Sequence, residues 1–537
     1  MLKRWSQRLV APGVLMLLAL AGGSRADESG RTNEIVEGHA RLDQVMTLGQ
    51  GADLQQAIDR AKPGDTILLS PGATYSGNFL LPNKNGDQFI TIRTADAAGQ
   101  PRADARVHPS HAAALAKIRS PNTQPAIRTA PGAHHWRLQL LEFLPTLNGA
   151  GEIIALGDGA LRDRAQLPHQ LIVDRCYIHG DPEIGQKRGI ALNSGATIVR
   201  GSYVSDIKVR GQDSQAIGGW NGTGPHTIEN NYLEAAGENF MLGGADPAIP
   251  GLVTEDVVFR GNHLAKPLAW REQGWTVKNL FELKNARRVL VEDNLMEYSW
   301  RDGQVGYAVL LTPRNQDGGA PWATVEDVTL RRNIIRHAGG GINIMGTDDI
   351  RPSGPARGIH IVDNVFYDLD AERWGGTGAF LLIGNGPSNI TVEHNTVRQS
   401  GNIVMVYGGP KDETLQVPQF RFRDNLLRHN LYGVHGTGRA PGGDSLRTFF
   451  PDVEFVGNVI AGGEPRGYPS RNTFIADEEF DRQFMDAAGG DFRLRQDSRF
   501  RRAGTDGRDV GADVAAIARA RGARVGGRGL DPGAPSR

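Results

Sequence analysis

The chain has 537 residues, more than one ordinary globular core holds, so an elongated repeat fold or several domains must be considered. Its 60 basic residues balance its 60 acidic residues, which excludes general electrostatic attraction to nucleic acid or to an anionic membrane surface. Cys176 is the single cysteine, which excludes an intramolecular disulfide.

The N-terminal segment has the order of a secretory signal. Basic residues precede an apolar run over residues 14–21, and residues 24–26 (Ser-Arg-Ala) supply the small residues of a cleavage site. The apolar run is too short to span a bilayer, and no cysteine follows it that could carry a lipid. We therefore expect residues 1–26 to be a signal peptide and the mature protein to be secreted or periplasmic, without stable membrane insertion.

A short helix and a strand follow an N-terminal extension, residues 27–50, that has no clear pattern. Leu54, Ala57, Ile58 and Ala61 share one helical face, and Pro63-Gly64-Asp65 ends the helix before a strand at residues 66–69. An open sheet end offers unpaired backbone groups. We expect this helix to cover such an end.

The same region resembles a known superfamily. Leu54-Gln-Gln-Ala-Ile-Asp-Arg-Ala-Lys-Pro-Gly-Asp-Thr-Ile-Leu-Leu and the following Pro71-Gly-Ala-Thr-Tyr resemble the opening of pectin-lyase-like right-handed parallel β-helices. Through Ile92 the sequence is most similar to the alginate lyase and chondroitinase B group, the polysaccharide lyase family 6-like proteins. The resemblance implies a parallel β-helix that acts on carbohydrate.

A repeat runs through most of the remaining chain. Apolar residues lie three and five positions before a ladder position, as Val289 and Val291 do before Asn294, and the ladder position recurs every 26 to 39 residues. Alternation of this kind predicts a strand with one buried face. Further short strands in each coil, without long helices between them, exclude a doubly wound sheet. The ladder position is occupied by Leu141, Cys176, Ser202, Asn231, Asn262, Asn294, Asn333, Asn364, Asn395, Asn425 and Asn458.

The ladder residues are predicted to be structural. Asn tolerates the left-handed backbone conformation, and its amide can bond the backbone of the coils above and below. Cys176 stands at a ladder position and is predicted to be a buried packing residue. The predicted fold is all-β, a right-handed single-stranded parallel β-helix (solenoid) with an N-terminal capping helix. It spans residues 51–518, with the cap at 51–70, core coils at about 130–462, a closing segment at 463–518 and a disordered tail at 519–537.

Function is expected on the outer face, because a packed solenoid has no central pore and repeat proteins bind through outward side chains and long turns. If Phe281 and Leu283 point inward, their neighbours Glu282 and Lys284 point outward. The equivalent positions of neighbouring coils complete a predicted strip of Asn239, Glu282, Lys284, Arg314 and Asn343.

The resemblance implies a role for most of these residues. In the alginate lyase and chondroitinase B group, Asn and Glu residues hold calcium while a Lys and an Arg act as base and acid of a β-elimination. This implies calcium near Asn239 and Glu282, Lys284 as the base and Arg314 as the acid. We expect substrate contacts from Asn315 and Asn343. The flat faces of three further residues suit sugar rings, namely Trp270, Trp275 and Trp300.

Two positions differ from the family pattern. The family has two calcium-binding Glu residues one residue apart ahead of the Lys, whereas Glu282 stands alone. The family's Arg is followed by His-Gly, whereas Arg314 is followed by Asn315-Gln316. The plain alternative is that Glu282 and Lys284 form an exposed ion pair, worth under about 1 kcal/mol.

The predicted function is an exported, monomeric enzyme that cleaves an acidic, uronate-containing polysaccharide by β-elimination, with calcium as its expected cofactor. A glycoside hydrolase or a uronate epimerase on the same scaffold is one alternative. A non-catalytic carbohydrate-binding surface protein is another. In that last case Lys284 and Arg314 would be dispensable, while the groove and the Trp residues would remain.

Overall fold

The computed structural model describes residues 43–408 and 415–524, in which the chain winds into a parallel β-helix. Each coil adds one strand to each of three parallel sheets, which we name sheet A, sheet B and sheet C in their order along a coil. The predicted solenoid is confirmed. The predicted signal peptide, residues 1–26, lies outside the described residues.

The three sheets have 14, 14 and 12 strands. Sheet A contains Val45–Leu48, Thr66–Leu69, Ile90–Thr94, His134–Gln139, His169–Asp174, Thr197–Arg200, His226–Glu229, Thr254–Arg260, Ala286–Glu292, Val325–Arg331, Ala356–Val362, Ser388–Glu393, Phe420–Arg423 and Glu454–Val456. Sheet B contains Thr74–Ser76, Ala116–Arg119, Leu141–Phe143, Tyr177–His179, Tyr203–Ile207, Tyr232–Ala235, His263–Ala265, Leu295–Ser299, Ile334–Ala338, Val365–Leu369, Thr396–Gln399, Leu426–Arg428, Val459–Ala461 and Thr473–Ile475. Sheet C contains Phe79–Leu81, Ile127–Thr129, Glu152–Leu156, Arg188–Leu192, Gln215–Gly219, Glu238–Leu242, Phe281–Leu283, Tyr307–Leu311, Gly340–Met345, Leu381–Gly384, Val404–Val406 and Val434–Gly436.

The remaining elements lie in the turns and at the ends. The α-helices are α1 (Leu54–Arg60), α2 (Trp270–Gln273), α3 (Ala371–Trp374), α4 (Gly443–Phe449) and α5 (Val514–Arg524). The 3-10 helices are Pro109–Ala114, Leu147–Gly149, Arg164–Gln166, Asp477–Glu479 and Asp481–Gln483. Strands Phe484–Asp486 and Asp491–Leu494 form an antiparallel pair. No helix within the described ranges is long and apolar enough to cross a membrane.

The core consists of inward side chains stacked in register. Val289, for example, pairs with Val257 of the preceding coil and Val328 of the next, and all three are almost completely buried. Such aliphatic stacks remove apolar surface from water along the whole rod, at roughly 25 cal/mol per Å². Cys176 is fully buried in this core, as predicted, and burial raises the pKa of its thiol to about 12.

The asparagine ladder forms as predicted. At Asn333 the side-chain amide donates to Val291 O and to Asn364 Oδ1, both at 2.9 Å. Its Oδ1 accepts from the backbone N–H of Asn294 at 3.0 Å. The left-handed backbone lies one residue earlier than the sequence argument placed it, as at Arg332 with φ 55°. Each ladder amide therefore bonds to backbone groups of neighbouring coils, and the residue before it makes the turn through its left-handed backbone conformation.

Helix α1 covers the end of sheet C, as expected of the capping helix. The Gln55 side chain donates to Leu80 O at 3.1 Å and accepts from Leu80 N at 2.9 Å, which satisfies the edge of the first strand. Strand Val45–Leu48 extends sheet A at the same end by pairing with Thr66–Leu69. The segment assigned to an unpatterned extension therefore contains a strand.

The C-terminal segment folds back along the outer face of sheet B. Phe480, Phe484, Phe492 and other apolar residues of this segment form a cluster with outward side chains of sheet B, including Leu426 and Val459. Helix α5 runs past residue 518, where the sequence analysis ended the domain. Of the predicted disordered tail, residues 525–537 lie outside the described residues.

Candidate active site

Sheet C is the sheet with long loops along both edges. From Tyr177 to Val459 the corner between sheets A and B holds only two residues in each coil, whereas the connections into and out of sheet C vary widely. The coil that contains Phe281–Leu283 is bordered by long loops at residues 243–253, 266–280 and 312–324. We infer that these loops flank a groove whose floor is the outward face of sheet C.

Glu282 lies on this floor. Its neighbours Phe281 and Leu283 are fully buried in the core. In the sheet, Glu282 is in register with Met241 of the preceding coil and Leu310 of the next coil. Asn343 follows in the same column one coil further on, and its Oδ1 is buried without a hydrogen-bond partner among the described residues.

Lys284 and Glu282 form a tightly held pair at the edge of the strand. Lys284 Nζ lies 2.6 Å from Glu282 Oε1 and donates to Thr312 Oγ1 at 2.8 Å. Glu282 Oε2 accepts from Asn279 Nδ2 at 2.7 Å. The Glu282 side chain is 1% exposed and that of Lys284 is 18% exposed, so this is not the exposed surface pair of the plain alternative.

A second carboxylate, Glu238, lies beside Glu282 and was missed in the sequence analysis. It accepts from Gln215 Nε2 at 2.9 Å and lies 3.4 Å from Lys278 Nζ. Burial, together with the negative charge of Glu282, raises the pKa of Glu238 above its ordinary value. Asn279 Oδ1 is buried nearby and has no hydrogen-bond partner within the described chain. Two buried carboxylates thus lie close enough to interact electrostatically, and Asn279 contacts one of them, Glu282, through its Nδ2.

Asn239 does not reach the predicted strip. It is fully buried, its amide donates to Leu233 O at 2.7 Å and Ala265 O at 2.8 Å, and its Oδ1 accepts from Lys266 Nζ at 2.8 Å. Simple alternation breaks at this strand, because Asn239 bonds to Lys266 and to backbone carbonyls while its neighbour Glu238 contacts Gln215 and Lys278. Glu238 therefore takes the place in the groove that the sequence argument gave to Asn239.

Arg314 and Asn315 follow the next strand of sheet C. The backbone N–H of Arg314 donates to Lys284 O at 3.0 Å, so the two residues are neighbours in adjacent coils. The Arg314 guanidinium donates to Asp348 Oδ1 at 3.0 Å and keeps a quarter of its side chain exposed. Asn315 has a structural role, since its side chain donates to Pro352 O and accepts from Ala320 N.

The three Trp residues predicted to bind substrate are buried in one wall. Trp270, Trp275 and Trp300 pack with Trp374 in a cluster outside the main core, and each is at most 5% exposed. Arg210 lies 3.7 Å from the centre of the Trp275 ring. Their rings are therefore used for packing the loop, and they offer no open face to a sugar.

Trp220 is a partly exposed aromatic residue on the sheet C side of the coils. It borders a pocket of about 550 Å³ on sheet C, together with Arg128, Glu152 and Asn193. Arg188 lies 4.8 Å from the centre of the Trp220 ring. Trp220 precedes Lys284 by two coils, roughly 10 Å at the usual spacing of parallel strands.

Comparisons with known proteins agree with this architecture. No family model matches the chain, and no curated protein matches it in sequence. Among solved structures the chain is similar to an alginate lyase of the PL6 family, with a TM-score of 0.53 and 16% identity over 80% of this chain and 53% of that chain. The chain shares the fold of that lyase. It spans about half the length of that protein, and at this identity the likeness establishes the fold alone.

Two further solved structures are similar to this chain at lower TM-scores. A mannuronic-acid-specific polysaccharide family 6 lyase from human gut microbiota gives a TM-score of 0.48 and 14% identity, over 81% of this chain and 92% of that chain. The A-module of a mannuronan C-5 epimerase from Azotobacter vinelandii gives a TM-score of 0.48 and 15% identity, over 78% of this chain and 98% of that chain.

In this fold, part of the predicted strip comes together. Glu282, Lys284 and Arg314 lie side by side on two adjacent coils, and Asn343 shares the column of Glu282. Asn239, Asn315 and the three Trp residues do not face the groove. Glu238, which the sequence argument missed, directly precedes Asn239, the residue that the argument placed on the strip.

Proposed function

We propose that the protein is an exported lyase that cleaves a uronate-containing polysaccharide by β-elimination in the groove on sheet C. The observation that carries the proposal is the Lys284 amine, held between Glu282 and Thr312 on an outward face, with Arg314 bonded to its backbone on the next coil. An amine and a guanidinium on one floor are what a proton abstraction and a leaving-group protonation need.

The proposed reaction has one proton to remove and one to supply. The Lys284 amine, in its neutral form, takes the C5 proton of a uronate, and the C5–H electrons form a double bond between C4 and C5. The C4–O bond breaks as this double bond forms, and the leaving oxygen takes a proton from Arg314, whose guanidinium is positioned by Asp348. The products are one fragment with a new reducing end and one fragment with an unsaturated uronate at its non-reducing end.

A calcium ion fits the residues beside Lys284. Glu238, Glu282 and the unpartnered Asn279 Oδ1 are oxygen ligands of the kind that calcium prefers, and they replace the predicted set of Asn239 and Glu282. A bound calcium ion would supply positive charge that neutralises the substrate carboxylate and makes the C5 proton more acidic. Among the protein's own side chains in the groove, the guanidinium groups of Arg188 and Arg314 favour binding of an anionic polysaccharide.

The test is a substrate panel with a matched lysine variant. Alginate, pectate, chondroitin and dermatan are incubated with the protein, with and without calcium, and the ultraviolet absorbance of the unsaturated uronate is followed. Lys284→Met should lower the rate by about 10² or more, the range of a lost general base. Lys117→Met is the control, because Lys117 is also a partly buried lysine paired with a glutamate, Glu142, but lies on sheet B.

Each alternative gives a different result in the same panel. Reducing ends without new absorbance indicate a hydrolase, and inverted uronates without chain cleavage indicate an epimerase. Binding without either product, unchanged in Lys284→Met, indicates a non-catalytic surface protein. Any of these three results would contradict the lyase proposal, whereas equal losses in Lys284→Met and Lys117→Met would exclude a specific role for Lys284.

A further inference from the structure

A histidine and two aspartates meet where the C-terminal segment lies against the coils, far along the chain from the groove residues. His394 and Asp424 occupy the position before the ladder residue on two successive coils, and Asp506 comes from the C-terminal segment. His394 Nε2 lies 3.2 Å from Asp506 Oδ2 and 3.8 Å from Asp424 Oδ2. One ligand atom of each residue lies within 4.8 Å of the others.

The imidazole is oriented by its other nitrogen. His394 Nδ1 lies 3.1 Å from the carbonyl oxygen of Asp509, which can only accept, so Nδ1 carries the proton. In the neutral ring this leaves the lone pair of Nε2 aimed at two carboxylates. The residue is 2% exposed, so water has little access to that nitrogen. A donated N–H on one side and a free lone pair toward carboxylates is the usual arrangement of a metal-binding histidine.

Both carboxylates are held by further hydrogen bonds. Asp424 accepts from Thr505 N at 2.8 Å and from Thr505 Oγ1 at 2.6 Å. Asp506 accepts from Arg508 N at 2.9 Å and from Arg508 Nε at 2.7 Å. Metal-ligating carboxylates are typically fixed by such outer partners.

The local charge also favours a divalent cation. Arg508 bridges Asp506 and Asp363, the latter at 3.1 Å, and Asp424 adds a third carboxylate. With His394 neutral, one guanidinium among three carboxylates leaves two negative charges uncompensated. A histidine nitrogen with two carboxylate oxygens suits zinc and similar transition metals, whereas calcium takes oxygen ligands.

We propose that His394 Nε2, Asp424 and Asp506 bind a divalent transition-metal ion of the zinc class, which fixes the C-terminal segment to two successive coils. Asp506 is partly exposed, so the ion has a route to the site and room for a water ligand. This structural site is separate from the groove residues on sheet C, and it is independent of the proposed lyase activity.

The experiment uses the untagged full chain, freed of metal by a chelator and titrated with zinc sulfate. Calorimetry should give one zinc ion per chain, and zinc should slow hydrogen exchange in residues 498–513. Asp506→Asn should weaken zinc binding by at least about tenfold and abolish that protection. Asp497→Asn is the control, since Asp497 is an exposed aspartate of the same segment that pairs with Arg495.

A second histidine group must be separated from this one. His134, His135 and His169 have ring centres 5.0 to 6.4 Å apart on the outer side of sheet A, and three imidazoles can also take up zinc. His169→Asn should leave zinc binding at the proposed site and the protection of residues 498–513 unchanged. Zinc binding that is lost in His169→Asn and kept in Asp506→Asn would overturn the proposal. A protein that binds no zinc would overturn it as well.

Discussion

Lys266 is a buried lysine that shapes the coil carrying the candidate site, and burial lowers the pKa of its amine to about 7. Its Nζ lies within 3.0 Å of five oxygen atoms. One is Asn239 Oδ1, and another is the backbone carbonyl of Asn279, whose side chain holds Glu282. Lys266 therefore draws Asn239 into the corner and places Asn279 beside the groove.

Removing the side-chain amino group of Lys266 should destabilise the protein strongly. In Lys266→Met several buried carbonyl groups lose their donor, and we expect the free energy of unfolding to fall by about 3–5 kcal/mol. Denaturant unfolding followed by circular dichroism measures the change. Arg102→Met, which breaks an exposed pair with Asp104, should cost less than about 1 kcal/mol. Equal costs for the two variants would show that the enclosure of Lys266 contributes nothing.

Glu234 should make stability depend on pH. It is almost completely buried on sheet B and accepts from Asp206 N and Tyr232 Oη, both at 3.0 Å. Burial raises the pKa of Glu234 from 4.5 to about 7. Between these values the folded protein holds a proton that the unfolded chain has lost. The protonated Glu234 side chain thus contributes fully to the free energy of unfolding below about pH 4.5, and this contribution is lost as the pH rises through 7.

Glu234→Gln should remove this dependence. The amide stays neutral at every pH, so the variant should gain up to about 3 kcal/mol relative to the parent on going from pH 4.5 to pH 8. Urea unfolding at both values gives the difference. The exposed residue Glu272 on helix α2 supplies the control, since Glu272→Gln should follow the parent at both pH values. A Glu234→Gln profile parallel to the parent would contradict the argument.

At the scale of the element, the ladder is the part that the sequence predicts best. Each strand before a ladder residue repeats the same alternation, and the amides bond between coils as expected. The predictions fail where a tertiary contact overrides alternation. Asn239 illustrates this, because its orientation depends on Lys266, and a two-residue period cannot reveal that contact. The Trp residues fail for a similar reason, since burial in a loop depends on how the loop folds.

A ladder residue in the middle of the stack of coils should contribute more to the free energy of unfolding than one at its end. Asn333→Ala removes donors to Val291 O and Asn364 Oδ1 and an acceptor for Asn294 N, all fully buried. We expect a loss of about 2–4 kcal/mol in the free energy of unfolding. Asn472→Ala, at the partly exposed last rung, is the matched comparison and should cost markedly less. Thermal and denaturant unfolding of both variants decide the point.

For the whole molecule, the C-terminal segment covers sheet B over several coils. The sequence analysis anticipated a closing segment but not its path, because docking on an outer face leaves no periodic signal in the sequence. The buried residues of this contact include Phe480, Phe492 and Phe500 from the segment and Leu426 and Val459 from the sheet. The segment therefore protects apolar surface as well as closing the rod.

A chain that ends at Ala476 should lose stability and associate. It would uncover the apolar outer side chains of sheet B, and exposed patches of this kind promote self-association. We expect a lower melting temperature and larger particles in light scattering. A chain that ends at Arg524 keeps all the described contacts and should behave as the parent. A shortened chain as stable and monomeric as the parent would show that the segment is dispensable.

The constant two-residue corner between sheets A and B has a consequence for how this scaffold can be altered. Every change in coil length from Tyr177 to Val459 is accommodated at the two borders of sheet C, where the groove lies. Exchanging a border segment such as residues 243–253 for a longer or shorter one would therefore leave the stacked amides untouched. For the proposed lyase, substrate preference could then be changed one segment at a time while the stacked coils stay the same.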